Sequence, residues 1–292
     1  MPPSELEERY CTFWSVYLLD RLISCGRNRP PSLLDSDCTI QLPSNLHSVH
    51  ENSWIERPTL AEMHDVPDAV LLEETDHFAL TVFMVSTLGC VVRWAFKHSG
   101  TKPHLPWDSR SEFSRINGIL LSFESYSDAC DSNFTNVLNQ KFVINGVLNV
   151  RAACHFTYSH VIYHVNQLLL HHPFLLHQHL RTCRIKIPAG FCRGAVRKSK
   201  DHASHLTAIL RTLQQRRCTI HPSFYGYAAI LAGQIHRLHF KNSDSLVRTE
   251  AKSQWEACLR FLDQEPMYWE SYRTMVCMDL TFCRSCLFGL KE

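Results

Sequence analysis

Three histidines in the middle of the chain have the spacing of metal ligands on a helix. His160 and His164 are four residues apart, and His171 follows seven residues later. Residues at these intervals share one face of a helix, and neutral imidazole is a common ligand of zinc and nickel. The alternative is a polar stripe in a helical core. No Asp or Glu lies between Asp131 and Asp201, so a carboxylate ligand or a general base would have to come from elsewhere, and the core interpretation is favoured.

Cysteines near the C-terminus form a second candidate metal site. Cys283 and Cys286 make a C-x2-C pair, with Cys277 shortly before them. A structural zinc ion needs four ligands, so a fourth would have to come from a distant residue. The same pair would lie on one face of a helix, which favours packing of the thiols in a core over metal binding.

The acidic start MPPSELEERY lacks the apolar run of a secretory signal. We therefore expect an intracellular protein with reduced thiols.

A strongly basic stretch runs from residue 181 to residue 217, with ten Lys or Arg against a single acid, Asp201. Pro188, Gly190 and Gly194 fall inside its first half, which predicts an irregular connector over residues 182–200. We interpret this part as a solvated loop between two helices. The functional alternative is a nuclear import signal, because such a signal needs only exposed charge. The residues of this patch are Arg193, Arg197, Lys198 and Lys200.

The common catalytic motifs are absent from the sequence. We find no G-x-S-x-G nucleophile elbow, no G-x-x-x-x-G-K-[ST] or G-x-G-x-x-G phosphate loop, and no H-E-x-x-H zinc motif. Only ten glycines occur in 292 residues, which disfavours a Gly-rich nucleotide-binding α/β fold. We predict no catalytic residues and a protein that is not an enzyme.

Helical periodicity dominates the elements that must position these residues. We predict an all-α fold, a multi-helix domain with an extended irregular segment after the first helix, forming one domain over residues 1–292. The apolar run from Phe78 to Val92 is too short for a membrane span, so we expect it to be a buried helix. The predicted helices cover residues 4–26, 76–98, 107–125, 145–172, 201–215, 222–240, 245–262 and 266–287.

The first helix is apolar on almost every side. A helix with this pattern is normally buried all round, so we expect its second face to be covered from elsewhere. Asp20 and Arg21 are adjacent and therefore point to different sides of this helix. We expect them to fix the following loop, and charge reversal at Asp20 to cost stability. The expected pairing joins Arg21, Arg27 and Arg29 to Asp35 and Asp37.

The first helix and the loop after it, EERYCTFWSVYLLDRLISCGRNRPPSLLDSDCTIQLP, resemble the signature of the fungal-specific transcription factor domain. This is the middle, regulatory region of fungal binuclear zinc cluster regulators. The matching positions are Arg9, Phe13, Trp14, Tyr17, Asp20, Arg21, Gly26, Arg29, Pro30, Asp35, Asp37, Leu42 and Pro43.

Two later blocks are similar to the same family. Residues 155–175 contain Tyr163 and close on His172, Pro173 and Phe174, where the family usually has Arg before Pro-Phe. Residues 221–240 resemble its C-terminal part. The likeness therefore covers about residues 7–240.

The resemblance implies an all-α, non-catalytic regulatory domain that resides in the nucleus. It implies partners among other regulator subunits or the transcription machinery, homodimerisation and no membrane. The family binds DNA through a separate zinc cluster with C-x2-C-x6-C spacing, which this sequence lacks. We therefore expect DNA contact only through a missing domain, no cofactor in this chain, and a chain that is the back portion of a larger regulator. The alternative function is a small-molecule- or metal-binding helical protein that uses His160, His164 and His171.

Overall fold

A computed structural model describes most of the chain in two compact units. The first unit comprises Met1–Asn133 and Arg151–Leu170, and the second comprises residues 134–150 and 171–292. The prediction of one domain over residues 1–292 stays a prediction. The described residues are 3–27, 30–43, 57–65, 76–96, 104–127, 133–181, 187–216, 218 and 223–264.

The described residues are almost entirely helical, which confirms the all-α prediction. Their strands are limited to one two-stranded antiparallel ribbon, β1 Val143–Ile144 and β2 Val147–Leu148. The helices are α1 Pro3–Arg27, α2 Leu60–Asp65, α3 His77–Phe96, α4 Glu112–Ser127, α5 Asn133–Phe142, α6 Val150–Leu170, α7 Pro173–Arg181, α8 Ala189–Gln215, α9 Phe224–Leu238 and α10 Ser245–Gln264.

Helix α1 is buried on one face and exposed on the other within its unit. Trp14 and Tyr17 are fully buried, whereas Val16, Leu19 and Ile23 are 55%, 60% and 47% exposed. The three exposed positions recur at intervals of three and four residues and so form one stripe. Although α1 carries apolar residues on almost every side, only one of its faces is buried in this unit.

Helix α3 is the centre of the first unit. It is long and apolar enough to cross a membrane by composition, but 89% of its most apolar 18-residue window is buried inside the protein. Asp76 starts the helix by accepting the backbone N–H of Phe78 through its side chain, at 2.8 Å. The expectation of a buried helix rather than a membrane span therefore agrees with the packing.

The segment between α1 and α3 is irregular, as predicted, with two short helical turns. One is a 3-10 turn over Asp35–Asp37, and the other is α2. Helix α2 begins with a capping box, in which Glu62 accepts the backbone N–H of Thr59 at 2.7 Å and the Thr59 hydroxyl faces the N–H of Glu62 at 3.4 Å. Residues 30–43, which we call the strap, lead back over α1 and end beside Thr59 through a bridge from Gln41.

The predicted helix over residues 145–172 begins too early. Asn145 and Gly146 both adopt positive φ, at 52° and 79°, as the two centre residues of a type I′ hairpin turn do. They connect β1 and β2, and α6 starts only at Val150. The Asn-Gly pair between apolar residues is a strong hairpin signal that the helical periodicity concealed. The preceding helix, α5, was not predicted either.

The predicted connector over residues 182–200 is also wrong in its second half. Helix α8 starts at Ala189, directly after Pro188, which has the extended conformation of an N-cap residue. Ala195 and Ser199 are buried one turn apart, and Arg193 and Arg197 lie on the exposed side of this amphipathic helix. Gly190 and Gly194 lie in its first two turns, where packing of the buried face offsets their weak helix propensity.

Helices α8, α9 and α10 pack against one another in the second unit. Thr207 lies at their junction, with its hydroxyl 3.0 Å from Nε2 of His236 and 3.4 Å from the sulfur of Cys258. A Cβ at Gly233 would lie 3.5 Å from the Trp255 ring, so α9 and α10 approach closely there. The predicted helix over residues 266–287, and Cys277, Cys283 and Cys286 with it, lie outside the described residues.

Candidate functional site: the charge hub of the first unit

Asp20 anchors the strap to α1. Its carboxylate accepts the backbone N–H of Ser32 at 2.9 Å and that of Leu33 at 3.0 Å. Partial burial acts to raise the pKa of Asp20, but these two hydrogen bonds outweigh it and the pKa is lowered. Asp20 therefore holds the start of the strap against α1, which agrees with the prediction that it fixes the loop after the first helix.

We expect the substitution Asp20→Lys to lower the free energy of unfolding by about 1–2 kcal/mol, because two backbone donors lose their acceptor. Urea denaturation followed by circular dichroism measures the change. Asp37→Lys is the matched control, since Asp37 lies on the same strap and its carboxylate, among the described residues, accepts a hydrogen bond only from the exposed Ser36 hydroxyl. Equal effects of the two charge reversals would contradict the anchoring role.

Arg21 and Asp35 form the centre of a buried charge hub. The Nη2 atom of Arg21 donates to Oδ1 of Asp35 at 2.6 Å and to the carbonyl of Leu33 at 2.8 Å. The Arg21 side chain is 2% exposed and that of Asp35 is 24% exposed. The strap thus supplies the carboxylate that neutralises a cation buried between α1 and its neighbours.

Two further side chains bind the same carboxylate. The hydroxyl of Tyr17 donates to Oδ1 of Asp35, and the hydroxyl of Ser86, on α3, donates to Oδ2 at 3.2 Å. The guanidinium of Arg21 also lies over the Tyr17 ring, 5.0 Å from its centroid. Burial, followed by the charge of Asp35, raises the pKa of Tyr17 far above the usual value. The hub therefore joins α1, the strap and α3 through one carboxylate.

His64 of α2 extends the hub by one hydrogen bond. Its Nε2 lies 2.7 Å from the Ser86 hydroxyl, and since that hydroxyl donates to Asp35, Nε2 must carry the proton. Nδ1 is then an acceptor, and it is buried without a hydrogen-bond partner among the described residues. Burial lowers the pKa of His64 to about 4, against a smaller opposing effect of Asp35. His64 is therefore neutral at physiological pH.

We expect this neutral histidine to make the first unit less stable in acid. The folded pKa of about 4 lies below the ordinary 6.5, so the unfolded chain binds the proton first. The contribution of neutral His64 to the free energy of unfolding is fully present above pH 6.5. It falls as the pH drops from 6.5 towards 4, by at most about 1.4 kcal/mol per pH unit. Urea unfolding at a series of pH values measures the slope. In His64→Gln the slope should be smaller, and an unchanged slope would contradict the assignment.

A second set of contacts ties the end of the strap to the start of α1. The Nε1–H of Trp14 donates to the carbonyl of Gln41 at 2.8 Å. Arg57 pairs with the buried carboxylate of Glu7 at 2.7 Å and donates to the carbonyl of Leu42 at 3.1 Å. The strap is thereby fixed at both of its ends.

Comparison with known proteins agrees with this reading of the first helix and its strap. Residues 1–142 match the fungal specific transcription factor domain. The resemblance predicted from the signature is therefore confirmed over these residues. The hub and the strap lie entirely inside the matched part, and the two later blocks lie beyond it.

A relative with a longer alignment comes from Fusarium oxysporum f. sp. lycopersici. This protein, the Zn(2)-C6 fungal-type transcription factor FTF1c, is 21% identical over 290 residues, covering 92% of this chain. The chain spans 29% of the length of that relative. No solved structure matches the chain.

The signature residues of the transcription factor domain divide into those inside the hub and those outside it. Tyr17, Asp20, Arg21 and Asp35 are inside. Arg9 forms an exposed ion pair with Glu5 at 2.9 Å. Phe13 packs edge-on against Trp14. The predicted pairing of Arg21 with Asp35 is confirmed, but Asp37 contacts no arginine in the described part of the chain. Gly26 lies in the last turn of α1, Arg29 and the side chain of Arg27 lie outside the described residues, and Pro30 and Pro43 bound the strap.

The three candidate histidines are divided between the two units. His160 and His164 are buried on α6 in the first unit, and His171 is a buried residue of the second unit. The Nδ1–H of His160 donates to the carbonyl of Phe156 at 2.8 Å, and its ring packs on the Phe156 ring. These contacts favour the core interpretation for His160. The metal site stays a prediction.

The later family block has structural roles in each unit. The Tyr163 hydroxyl donates to Glu124 of α4 at 2.9 Å. Pro173 is the first residue of α7, a position where its missing N–H costs nothing. Phe174 is 45% exposed.

The predicted import patch lies on the first half of α8. Arg193 and Arg197 are exposed, and Lys198 and Lys200 are half-buried. Lys200 pairs with Glu250 of α10 at 3.3 Å. The patch is thus helical rather than extended, with Arg193 and Arg197 on its outer side.

Sequence reasoning missed two hub residues. Ser86 was assigned only to a buried apolar helix, and His64 to an irregular segment. A buried serine in a strongly apolar helix needs a hydrogen-bond partner, and this was the available signal for Ser86. The capping box TLAE was the signal for the helix that carries His64.

Proposed function

We propose that this chain contains the regulatory, middle homology domain of a fungal transcription factor of the zinc cluster type. It controls transcription by RNA polymerase II through interaction and conformational control, and it performs no catalysis. The match of residues 1–142 to the fungal specific transcription factor domain supports this proposal, as does the alignment with FTF1c.

The observation that carries the mechanism is the architecture of the hub. Among the described residues, the Asp35 carboxylate accepts hydrogen bonds from Tyr17 and Arg21 of α1 and from Ser86 of α3, an arrangement suited to holding elements together. A partner or ligand that prefers one packing of the strap against α1 and α3 shifts the population towards that packing. The surfaces offered to the transcription machinery change with it.

The same proposal places the protein in the nucleus, with other regulator subunits, a second copy or the transcription machinery as partners. DNA is reached through a zinc cluster domain that residues 1–292 do not contain, and the regulatory domain itself needs no cofactor. The exposed side chains of Arg193 and Arg197 suit the import role predicted for their patch.

A reporter experiment tests the regulatory role. Residues 1–292 are placed between a heterologous DNA-binding domain and an activation domain in fungal cells, and reporter output is compared with that of the direct fusion. We expect the inserted chain to change the output and Asp35→Asn to return it towards the direct fusion, at equal protein levels by immunoblot. Asp37→Asn is the matched control and should behave as the natural chain. Equal output with and without residues 1–292 would refute the proposal.

The absence of direct DNA reading is tested separately. We expect purified residues 1–292 to give no sequence-specific shift with DNA in a gel at physiological salt. A specific shift would show that this chain reads DNA itself.

A further inference from the structure

Two arginines converge on a single glycine of α3. The position that a Cβ would occupy at Gly89 lies 3.2 Å from Nη1 of Arg21 and 3.7 Å from Nη1 of Arg93. Any side chain here would intrude between these nitrogens and the helix. The absence of a side chain at Gly89 therefore lets both guanidinium groups approach the same turn of α3.

The Arg21 guanidinium has unused hydrogen-bonding capacity. Both of its hydrogen bonds in the described part of the unit come from Nη2. Its Nε–H is buried without a hydrogen-bond partner among the described residues. An unmet donor on a cation that is 1% exposed is unfavourable, and a further acceptor would remove that cost.

Arg93 lacks a carboxylate partner in the region that the structure describes. Its one hydrogen bond there goes from Nη2 to the sulfur of Cys90, at 3.1 Å. The neighbouring carboxylates have other partners: Glu112 binds Arg115 at 2.7 Å, and Asp20 binds the strap backbone. Two guanidinium groups thus lie side by side, and the second is exposed to solvent.

We propose that Arg21 and Arg93, beside Gly89, bind a small oxyanion, the phosphate or carboxylate group of a metabolite. A guanidinium group presents several N–H donors in a plane, which suits two oxygens of one such group. The guanidinium of Arg93, one turn further along α3, lies 3.7 Å from the same Cβ position and supplies a second set of donors. The guanidinium of Arg21 is already held in place by its hydrogen bonds to Asp35 and Leu33 before a ligand binds. This preorganisation lowers the entropic cost of binding.

Binding at this site would act directly on the hub. Arg21 belongs to α1 and already holds the strap through Asp35, while Arg93 belongs to α3. An oxyanion bound to both arginines therefore adds a link between α1 and α3. It favours the arrangement in which the strap is held against these two helices through Asp35. This regulatory consequence rests on the proposed function, whereas the binding itself does not.

Thermal unfolding of the full chain, followed by calorimetric titration, tests the site with inorganic phosphate and with malonate as separate probes. Sodium chloride at equal ionic strength corrects for screening. We expect a saturable rise in Tm of about 2 °C or more with at least one probe. A response to phosphate alone assigns a phosphate-bearing ligand, and a response to malonate alone assigns a carboxylate.

Two variants locate the effect. Arg93→Met removes an exposed side chain and should weaken binding by about tenfold or more. Gly89→Ala should also weaken it, because the methyl group obstructs Nη1 of Arg21. Arg197→Met removes another exposed arginine, on α8, and should leave binding unchanged. A response that is absent with both probes, or equally strong in Arg93→Met, would overturn the site. The reporter experiment above remains valid in either case.

Discussion

The substitution Asp35→Ala is expected to lower the free energy of unfolding by about 3–5 kcal/mol. It leaves the guanidinium of Arg21, whose side chain is 2% exposed, without its counter-charge. It also removes the acceptor of the Tyr17 and Ser86 hydroxyls. Urea unfolding monitored by circular dichroism measures the loss.

Two controls separate the buried charge from the general effect of losing a carboxylate. Asp37→Ala removes the neighbouring, exposed carboxylate and should change stability by no more than about 0.5 kcal/mol. The double variant Arg21→Met with Asp35→Ala should be more stable than Asp35→Ala alone, because no unpaired cation remains. If Asp35→Ala matched Asp37→Ala, the hub would not carry the stability assigned to it.

The substitution Trp14→Ala is expected to cost about 3–5 kcal/mol. The Trp14 side chain is fully buried, and its ring packs edge-on against Phe13 and Tyr17 at centroid distances of 5.2 Å. Its removal also leaves the carbonyl of Gln41 without the indole N–H. Near-ultraviolet circular dichroism and urea unfolding together report the lost packing and the lost stability.

Phe13→Ala is the matched control for Trp14→Ala. Phe13 is the adjacent aromatic residue on α1, but it is only half-buried. We expect a cost well below that of Trp14→Ala. Trp14→Phe should recover part of the packing without the hydrogen bond. A loss at Phe13 that equalled the loss at Trp14 would mean that the strap contact contributes little.

The first helix and its partner on the strap were predictable because they are close in sequence. The period of Trp14, Tyr17 and Arg21 defines one helix face, and Asp35 follows Arg21 by 14 residues. The third partner, Ser86, is 51 residues from Asp35. A contact over that separation depends on how α3 packs, which periodicity does not specify.

The two wrong boundaries have local causes. At Asn145 and Gly146 the apolar spacing on either side suits a helix and a hairpin equally well, and the positive φ values decide for the hairpin. At Gly190 and Gly194 the glycines suggested a loop, but the buried face of Ala195 and Ser199 stabilises a helix. Packing overrides weak propensity in the second case.

The short sequence separations within the hub have a kinetic consequence. Arg21 and Asp35 are 14 residues apart, and Tyr17 and Asp35 are 18 apart, so the loop that closes between them is small. Contacts of this kind form early, before distant helices have met. We expect α1 and the strap to assemble as a folding nucleus, onto which α3 later docks through Ser86. Substitutions at Asp20 should then slow refolding, whereas substitutions at Ser86 should mainly accelerate unfolding.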